Sequence, residues 1–87
     1  MMASYRIEWK KSARKELRKL PADVIQRVVN CVSGLSTNPY PSGSRKLVGS
    51  EFTFRVRVGD YRILYNVFDD QVIVEIIRVA HRKDVYR

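Results

Sequence analysis

Three arginines stand at spacings that would gather their side chains on one face of a β-sheet. Residues 51–68 alternate between apolar and polar side chains on either side of Gly59-Asp60, which predicts a β-hairpin with a two-residue turn. This turn places Arg57 opposite Arg62 on the same side of the sheet, with Arg55 two residues away. Like charges so placed repel, and guanidinium groups bind phosphate oxygens through paired hydrogen bonds. The cluster therefore indicates a binding site for a polyanion. The alternative is that the long side chains simply extend into water.

Two side chains near the C-terminus could transfer protons. His81 is the only histidine of the chain, and histidine alone has an unperturbed pKa near neutrality. A lone histidine at a strand end is more often structural or solvated, so its role depends on its neighbours. Tyr86 could stack on a base or transfer a proton if nearby arginines lower its pKa, or it could anchor the C-terminus on the sheet. Residues 80–87 are expected to turn back towards the arginine face.

The opposite side of the predicted hairpin is apolar and would face a core. A second two-residue turn is predicted at Asp69-Asp70, before a largely β-branched strand. It would pair Val67 with Val72 and Arg62 with Ile77, so that the apolar side continues across three strands. The residues predicted on the core side of the hairpin are Phe52, Phe54, Val56, Val58, Tyr61, Ile63, Tyr65 and Val67.

The N-terminal part predicts two helices. Residues 10–20 have a helical period with a thin apolar stripe, and Ser12 is a possible cap. Pro21 ends this helix, and Asp23 is a plausible cap for a second helix that runs to about Leu35. The two helices would form a hairpin whose apolar sides cover one face of the later sheet.

The order of elements predicts an α+β fold. Residues 4–9 alternate as a first strand, residues 36–50 form a loop with two prolines and a glycine, and three strands follow. The first strand cannot form a hairpin with the second, so it should join the sheet beside a later strand. We expect a single domain over residues 1–87, a two-layer β-α-α-β-β-β arrangement with the helical hairpin on one face of a mainly antiparallel sheet.

Charge and cysteine content narrow the class of partner. Seventeen basic residues against nine acidic ones give a net charge of +8, which favours nucleic acid, another polyanion or an acidic protein as the partner. Cys31 is the only cysteine, no metal-ligand set accompanies it, and a buried, inert thiol is expected. No signal peptide and no apolar run of membrane-spanning length is visible. The sequence therefore predicts a cytoplasmic protein without a metal or cofactor.

Four segments together resemble the RelE/ParE toxin superfamily, and within it the RelE side. The segments are Tyr5–Trp9, Lys46-Leu47 with Gly49, Phe54–Tyr65 and Arg78–Tyr86, and the similarity runs over nearly the whole chain. The third segment recurs across the superfamily and mostly reports the fold. The fourth, with its His-Arg pair and terminal tyrosine, is more specific to members that cut mRNA.

The resemblance implies the toxin of a type II toxin–antitoxin pair, an endoribonuclease (mRNA interferase) that cleaves mRNA in the ribosomal A site, inhibits translation and needs no metal. RelE-like toxins resemble small microbial ribonucleases in fold. The family often has lysines where this chain has Arg55 and Arg57, and arginine is a poor proton acceptor. The lysine that would act as the base in the family is therefore an arginine here, and His81 is the expected substitute as the base. Carried over by matching positions, the implied catalytic residues are Arg55, Arg57, Arg62, Arg82 and Tyr86, and His81 joins them as the substitute base.

The resemblance also implies partners and rival functions. An acidic antitoxin, the ribosome and mRNA are the expected partners, and the toxin–antitoxin complex would bind operator DNA through the antitoxin. Relatives that poison DNA gyrase share this fold, and a non-catalytic nucleic-acid or protein-binding module is a third class. The remaining cations would suit RNA phosphates on the ribosome as a group. They are Lys10, Lys11, Arg14 and Arg18 in the first helical segment, for which a solvated helix face is the plain interpretation, and Lys46 just before the three strands.

Overall fold

Two helices pack on one face of a five-stranded sheet in the computed structural model, which describes residues 4–85. The strand order is β1-β5-β4-β3-β2, with β1 parallel to β5 and the other neighbours antiparallel. The predicted α+β fold is confirmed, as is the placement of the first strand beside a later one. The elements are β1 (Arg6–Trp9), α1 (Lys11–Arg18), α2 (Ala22–Thr37), β2 (Arg45–Lys46), β3 (Thr53–Val58), β4 (Tyr61–Phe68) and β5 (Ile73–His81).

The core lies between the helices and the sheet. Ile7 and Trp9 pack against it from β1, and Tyr5 does so from just before that strand. Phe52 was predicted on the core side but is 49% exposed, because β3 begins only at Thr53 and the preceding bend turns the ring towards Phe68. The buried members are Ala13, Val24, Val28, Val32, Leu35, Val56, Val58, Ile63, Tyr65, Val67, Val74, Ile76 and Val79.

Both helices begin without a side-chain cap. Ser12 lies inside α1, whose N-cap position is Lys10, so its predicted capping role is wrong. Asp23 lies in the first turn of α2, one residue beyond its start, so it is not the cap either; its carboxylate still faces the positive end of the helix dipole. Pro21 occupies the cap position, and its carbonyl accepts the first helical hydrogen bond. Neither helix in this part of the chain is long and apolar enough to cross a membrane.

The β3–β4 hairpin has the register that the sequence predicts. Arg57 pairs with Arg62, and the turn is formed by Gly59 and Asp60. Gly59 has φ +58°, a conformation that glycine adopts without steric cost. A Cβ atom there would also lie 2.9 Å from Nη2 of Arg27 on α2. Glycine at this position therefore lets the turn form, and the end of the Arg27 side chain occupies the space beside it.

The β4–β5 connection differs from the predicted two-residue turn. Four residues, 69–72, join the strands, and Val72 has φ +57°. Val67 consequently pairs with Val74 rather than Val72. A shift of two residues leaves every side chain on its original face of the sheet, which is why the predicted apolar side persists despite the wrong register.

A β-bulge in β5 changes the faces of its last residues. Tyr65 pairs with Ile76 and Leu64 with Arg78, so Ile77 is the extra residue of the bulge. Beyond the bulge Arg62 faces Ala80 instead of the predicted Ile77. The bulge is therefore an irregularity that reverses the expected alternation from residue 78 onwards.

Glu16 of α1 binds the strand immediately after this bulge. Its Oε1 accepts a hydrogen bond from the backbone N–H of Val79 at 2.9 Å, and its Oε2 lies 3.4 Å from Nε of Arg78. The carboxylate thus accepts a hydrogen bond from a partly buried backbone N–H that the irregular strand pairing would otherwise leave without an acceptor. The first helix is thus attached to the C-terminal end of β5.

Asp69 joins three distant parts of the chain. The hydroxyl groups of Tyr5 and Tyr40 donate to its two carboxylate oxygens at 2.6 and 2.7 Å. These bonds lower the pKa of Asp69. The pKa of Tyr5 is raised by its bond to Asp69, and that of Tyr40 by burial and then by its bond to Asp69. The chain start, the long loop and the β4–β5 turn are thereby held together.

We expect the stability of the fold to fall in acid through Asp69. Its folded-state pKa lies below the unfolded value of about 3.9, so the stabilisation is complete above that pH and is lost as the pH falls through the folded pKa. The free energy of unfolding, measured in urea between pH 2 and 7, should depend less on pH in Asp69→Asn than in the wild type. Asp70→Asn removes the neighbouring carboxylate and should retain the wild-type dependence. Equal pH dependence in Asp69→Asn and wild type would contradict this role.

Candidate active site

Four arginines line one cleft on the sheet face that lies away from the helices. Arg55, Arg57 and Arg62 are brought together there, with Arg45 and Gly43 completing the wall. The cleft has a volume of about 310 Å³. We call it the arginine cleft, defined by the residues Gly43, Arg45, Arg55, Arg57 and Arg62.

The arginine cleft contains like-charged neighbours on two strand ladders. Arg57 stands directly opposite Arg62, and Arg45 directly opposite Arg55. Among residues 4–85, none of Arg45, Arg57 and Arg62 forms an ion pair with another side chain. Positive charge is therefore concentrated where it favours binding of an anion with several phosphate groups.

Backbone carbonyls hold two of these side chains at the ends of the cleft. Nη1 of Arg62 donates to the carbonyl oxygens of Tyr61 and Gly59, at 3.2 and 3.4 Å. Nη1 of Arg45 donates to the carbonyl of Ser44 at 3.2 Å. Each guanidinium keeps further N–H groups for a ligand, because it carries five donors in a fixed plane.

A small apolar cluster lies beside the cleft on the same face. Val85 is 2% exposed and packs with Leu64 and Ala80, and Leu47 and Ile77 border them. The segment after β5 therefore returns to the arginine face, as the sequence predicts.

Arg82, the C-terminal arginine candidate, lies outside the cleft wall. The backbone N–H of Arg82 donates to the carbonyl of Asp60 in the hairpin turn at 2.8 Å, and its side chain is exposed but does not line the cleft. Tyr86 lies outside the described residues, so its predicted role stays a prediction. The described tail thus approaches the end of the hairpin without adding a side chain to the arginine cleft.

His81 lies on the other side of the sheet. It is the last residue of β5 and pairs with Tyr61, whose ring packs against the core. The two rings meet edge to face with centroids 5.5 Å apart, and Nδ1 of His81 accepts a hydrogen bond from the N–H of Lys83 at 3.2 Å. The predicted register had implied the arginine face for this residue, and the bulge at Ile77 reverses it. The structure therefore does not bring His81 into the arginine cleft.

The predicted RNA-binding cations fall into two groups. Lys10, Lys11, Arg14 and Arg18 are exposed on and before α1, in the helix layer, so they lie on the opposite side of the molecule from the arginine cleft. Lys46 is exposed on β2, next to a depression of about 410 Å³ that Arg55 also lines. Two separate basic surfaces thus exist, and one of them extends the cleft.

Arg45 is the cleft residue that was not predicted. Its strand, β2, has only two residues and carries no alternation that a sequence pattern could reveal. The one available signal was the Arg45-Lys46 pair, which follows the Pro- and Gly-rich loop directly.

Comparisons with known proteins agree with this architecture. Residues 7–86 match the family model described as the ParE toxin of the type II toxin–antitoxin system parDE. Toxin RelG of Mycobacterium tuberculosis is 40% identical over 87 residues, which cover 95% of this chain and 97% of that protein. Toxin RelE of the same organism is 33% identical over 84 residues, with coverages of 95% and 87%.

Solved structures of RelE proteins have the same fold. The archaeal RelE–RelB complex from Pyrococcus horikoshii superimposes with a TM-score of 0.83 at 28% identity, covering 94% of this chain and 99% of that one. The isolated Escherichia coli RelE toxin gives a TM-score of 0.80 at 26% identity, with coverages of 90% and 84%. The chain therefore belongs to the RelE/ParE superfamily of toxins of type II toxin–antitoxin systems, with relatives on its RelE side.

Proposed function

We propose that this toxin is a ribosome-dependent endoribonuclease that cleaves mRNA in the ribosomal A site and so inhibits translation. The observation that carries the proposal is the arginine cleft, which holds permanent positive charge on an open sheet face. The relatives named RelE and RelG add the class of toxin. A site of this kind suits a flexible, negatively charged strand better than a small neutral substrate.

The proposed chemistry is attack of a ribose 2′-hydroxyl on the adjacent phosphate, without a metal ion. The transition state gains negative charge on the phosphoryl oxygens, and preorganised cations aimed at that charge are often the largest catalytic contribution. Arg57 and Arg62 are directly opposite one another and Arg55 is two residues away on β3, so their guanidinium groups can converge on one phosphate. Arg82 would contribute from the end of the hairpin.

Proton transfer is proposed for His81 and Tyr86. The hydrogen bond from Lys83 to Nδ1 leaves Nε2 as the protonated nitrogen of a neutral His81 ring. In this tautomer the Nε2–H group donates a hydrogen bond, and the ring can accept a proton only at Nδ1, once the bond from Lys83 is released. The ring reaches the arginine face only after the end of β5 reorients. Hydrogen bonds used in catalysis often form only in the substrate complex, so this geometry does not remove His81 as a candidate.

The ribosome would supply the alignment that the cleft lacks. A cleft of about 310 Å³ on an open face can bind phosphates but encloses little of an RNA strand. Holding the 2′-hydroxyl in line with the scissile bond can contribute several kcal/mol to the rate. The cations on and before α1, on the other side of the molecule, would meanwhile contact ribosomal RNA.

We expect removal of either Arg57 or Arg62, the opposed pair of the cleft, to abolish most cleavage without unfolding the protein. Arg57→Ala and Arg62→Ala should each lower kcat on programmed ribosomes by about 100-fold or more, the loss typical of one transition-state donor. Their melting temperatures should equal or exceed that of wild type, because each change removes like-charge repulsion. Arg6→Ala is the matched control: it removes one exposed arginine at the other sheet edge.

His81→Phe tests the proton-transfer step within the same series. Phenylalanine preserves the edge-to-face ring contact with Tyr61 but cannot titrate. We expect a loss of about 100-fold in kcat, which is typical of the removal of a proton-transfer group. An unchanged rate would leave His81 with a packing role, whereas full activity of both arginine variants would refute the site itself.

Ribosome dependence is the sharpest test of the function. The purified toxin should cut a labelled message rapidly on ribosomes with a vacant A site and negligibly as free RNA. Equal cleavage in both reactions would show a self-sufficient ribonuclease. The family model that matches the chain is that of ParE toxins, so gyrase poisoning is the second candidate. Loss of supercoiling activity in the presence of gyrase, without RNA cleavage, would support it.

The cognate partner is proposed to be an acidic antitoxin. The neighbouring archaeal structure is a RelE–RelB complex, and this chain carries a net charge of +8. We expect a stable complex with the product of the adjacent gene, with an association rate that falls as salt is added, because charge steers the encounter. Operator DNA would be bound through the antitoxin. Purification of the two co-expressed proteins as separate species would count against this partner.

A further inference from the structure

We propose that Arg45 binds a phosphate that neighbours the scissile phosphate, and so fixes the path of the RNA strand across β2. This inference rests on the proposed ribonuclease function and assigns the residue a positioning role. Arg45 lines the arginine cleft, is exposed, and belongs to the short edge strand β2.

Charge balance shows that one phosphate cannot satisfy the cleft. A phosphodiester carries one negative charge and two non-bridging oxygens. Among residues 4–85, Arg45, Arg57 and Arg62 form no ion pair, and these three guanidinium groups alone supply three positive charges and up to fifteen N–H donors. A second negative charge in the transition state still leaves an excess of one. The cleft is therefore filled best by a strand that brings more than one phosphate.

The arrangement of the strands separates the two phosphate positions. Arg57 and Arg62 form one directly opposed pair on β3 and β4, and Arg55 and Arg45 form the other on β3 and β2. Neighbouring strands lie about 4.8 Å apart and two residues along a strand span about 6.6 Å, so Arg45 and Arg62 are about 12 Å apart at the backbone. Arg57 and Arg62 define one end of the cleft, and Arg45 defines the other.

The edge position leaves Arg45 open to a passing strand. Gly43 contributes no side chain to this wall, and a Cβ atom placed there would meet no other atom within 4 Å. The hydrogen bond from Nη1 of Arg45 to the carbonyl of Ser44 fixes one side of the guanidinium and leaves its other donors available. An RNA strand leaving the cleft over β2 would therefore pass Arg45 next.

Kinetics on programmed ribosomes separate this role from catalysis and from folding. Arg45→Ala should raise KM for the ribosome–mRNA complex roughly tenfold, as expected for a lost charge-assisted hydrogen bond, and change kcat less than about threefold. Arg45→Lys should recover most of the affinity, because a lysine still binds phosphate as a point charge. Arg6→Ala, which removes an equal charge at the opposite edge, should leave KM unchanged. A fall in kcat with unchanged KM would overturn the assignment.

A neutral linkage in the message identifies the contact. Two messages are compared, one with a methylphosphonate on the 5′ side of the cleaved bond and one with it on the 3′ side. One of the two should raise KM for wild type. That same message should not raise KM further for Arg45→Ala. Independent, additive effects at both positions would overturn the proposal.

A binding measurement keeps the inference separate from the cleavage reaction. A single-stranded 2′-deoxy oligonucleotide should bind wild type with a steeper salt dependence than Arg45→Ala, by about 0.7 in the slope of log K against log salt. Equal slopes would refute the phosphate contact even if wild type cleaves mRNA. A difference in slope without any cleavage on ribosomes would instead refute the proposed function and retain the contact.

Discussion

The mutual repulsion of the cleft arginines is the constraint on which the rest of the structure depends. An opposed pair of unit charges about 6 Å apart costs between about 1 kcal/mol in bulk water and about 3 kcal/mol at an effective dielectric constant of 20. On the other side of the same two strands lie five buried side chains: Val56, Val58, Ile63, Tyr65 and Val67. Full burial of each contributes about 1.5–3 kcal/mol. Packing beneath the hairpin therefore exceeds the repulsion above it, and the charges of the Arg57–Arg62 pair can remain without a counter-ion in the folded protein.

The bulge in β5 decides what else reaches the charged face. It turns Ala80 towards Arg62 and His81 towards Tyr61. The hydrogen bond from Val79 to Glu16 of α1 stabilises this irregular segment. A helix whose outer surface is basic is thereby attached, through one inward carboxylate, to the strand that leads into the C-terminal segment.

The sequence predicts the β3–β4 hairpin and its arginine cluster because Gly59-Asp60 specifies both the turn and the register. It does not predict the β4–β5 register, because β-branched residues tolerate several pairings and the four-residue connection includes Val72 at positive φ. The side on which His81 lies depends on one extra residue, Ile77, that no local pattern reveals. Arg45 was missed because a two-residue strand is held by its neighbour rather than by its own alternation. Tight turns can therefore be predicted from the local sequence, whereas bulges and short edge strands depend on tertiary packing.

In the proposed reaction, the arginine cleft stabilises negative charge and other groups transfer the protons. Guanidinium groups stay charged at any accessible pH, so the cleft stabilises negative charge continuously but accepts no proton. In the described part of the chain no titrating side chain lines it. Proton transfer must then come from the C-terminal segment or from the bound ribosome complex, while the arginines provide electrostatic stabilisation. The same permanent charge would attract an acidic antitoxin as readily as RNA, so activity would be set by which polyanion occupies the face rather than by ionisation of the arginine cleft.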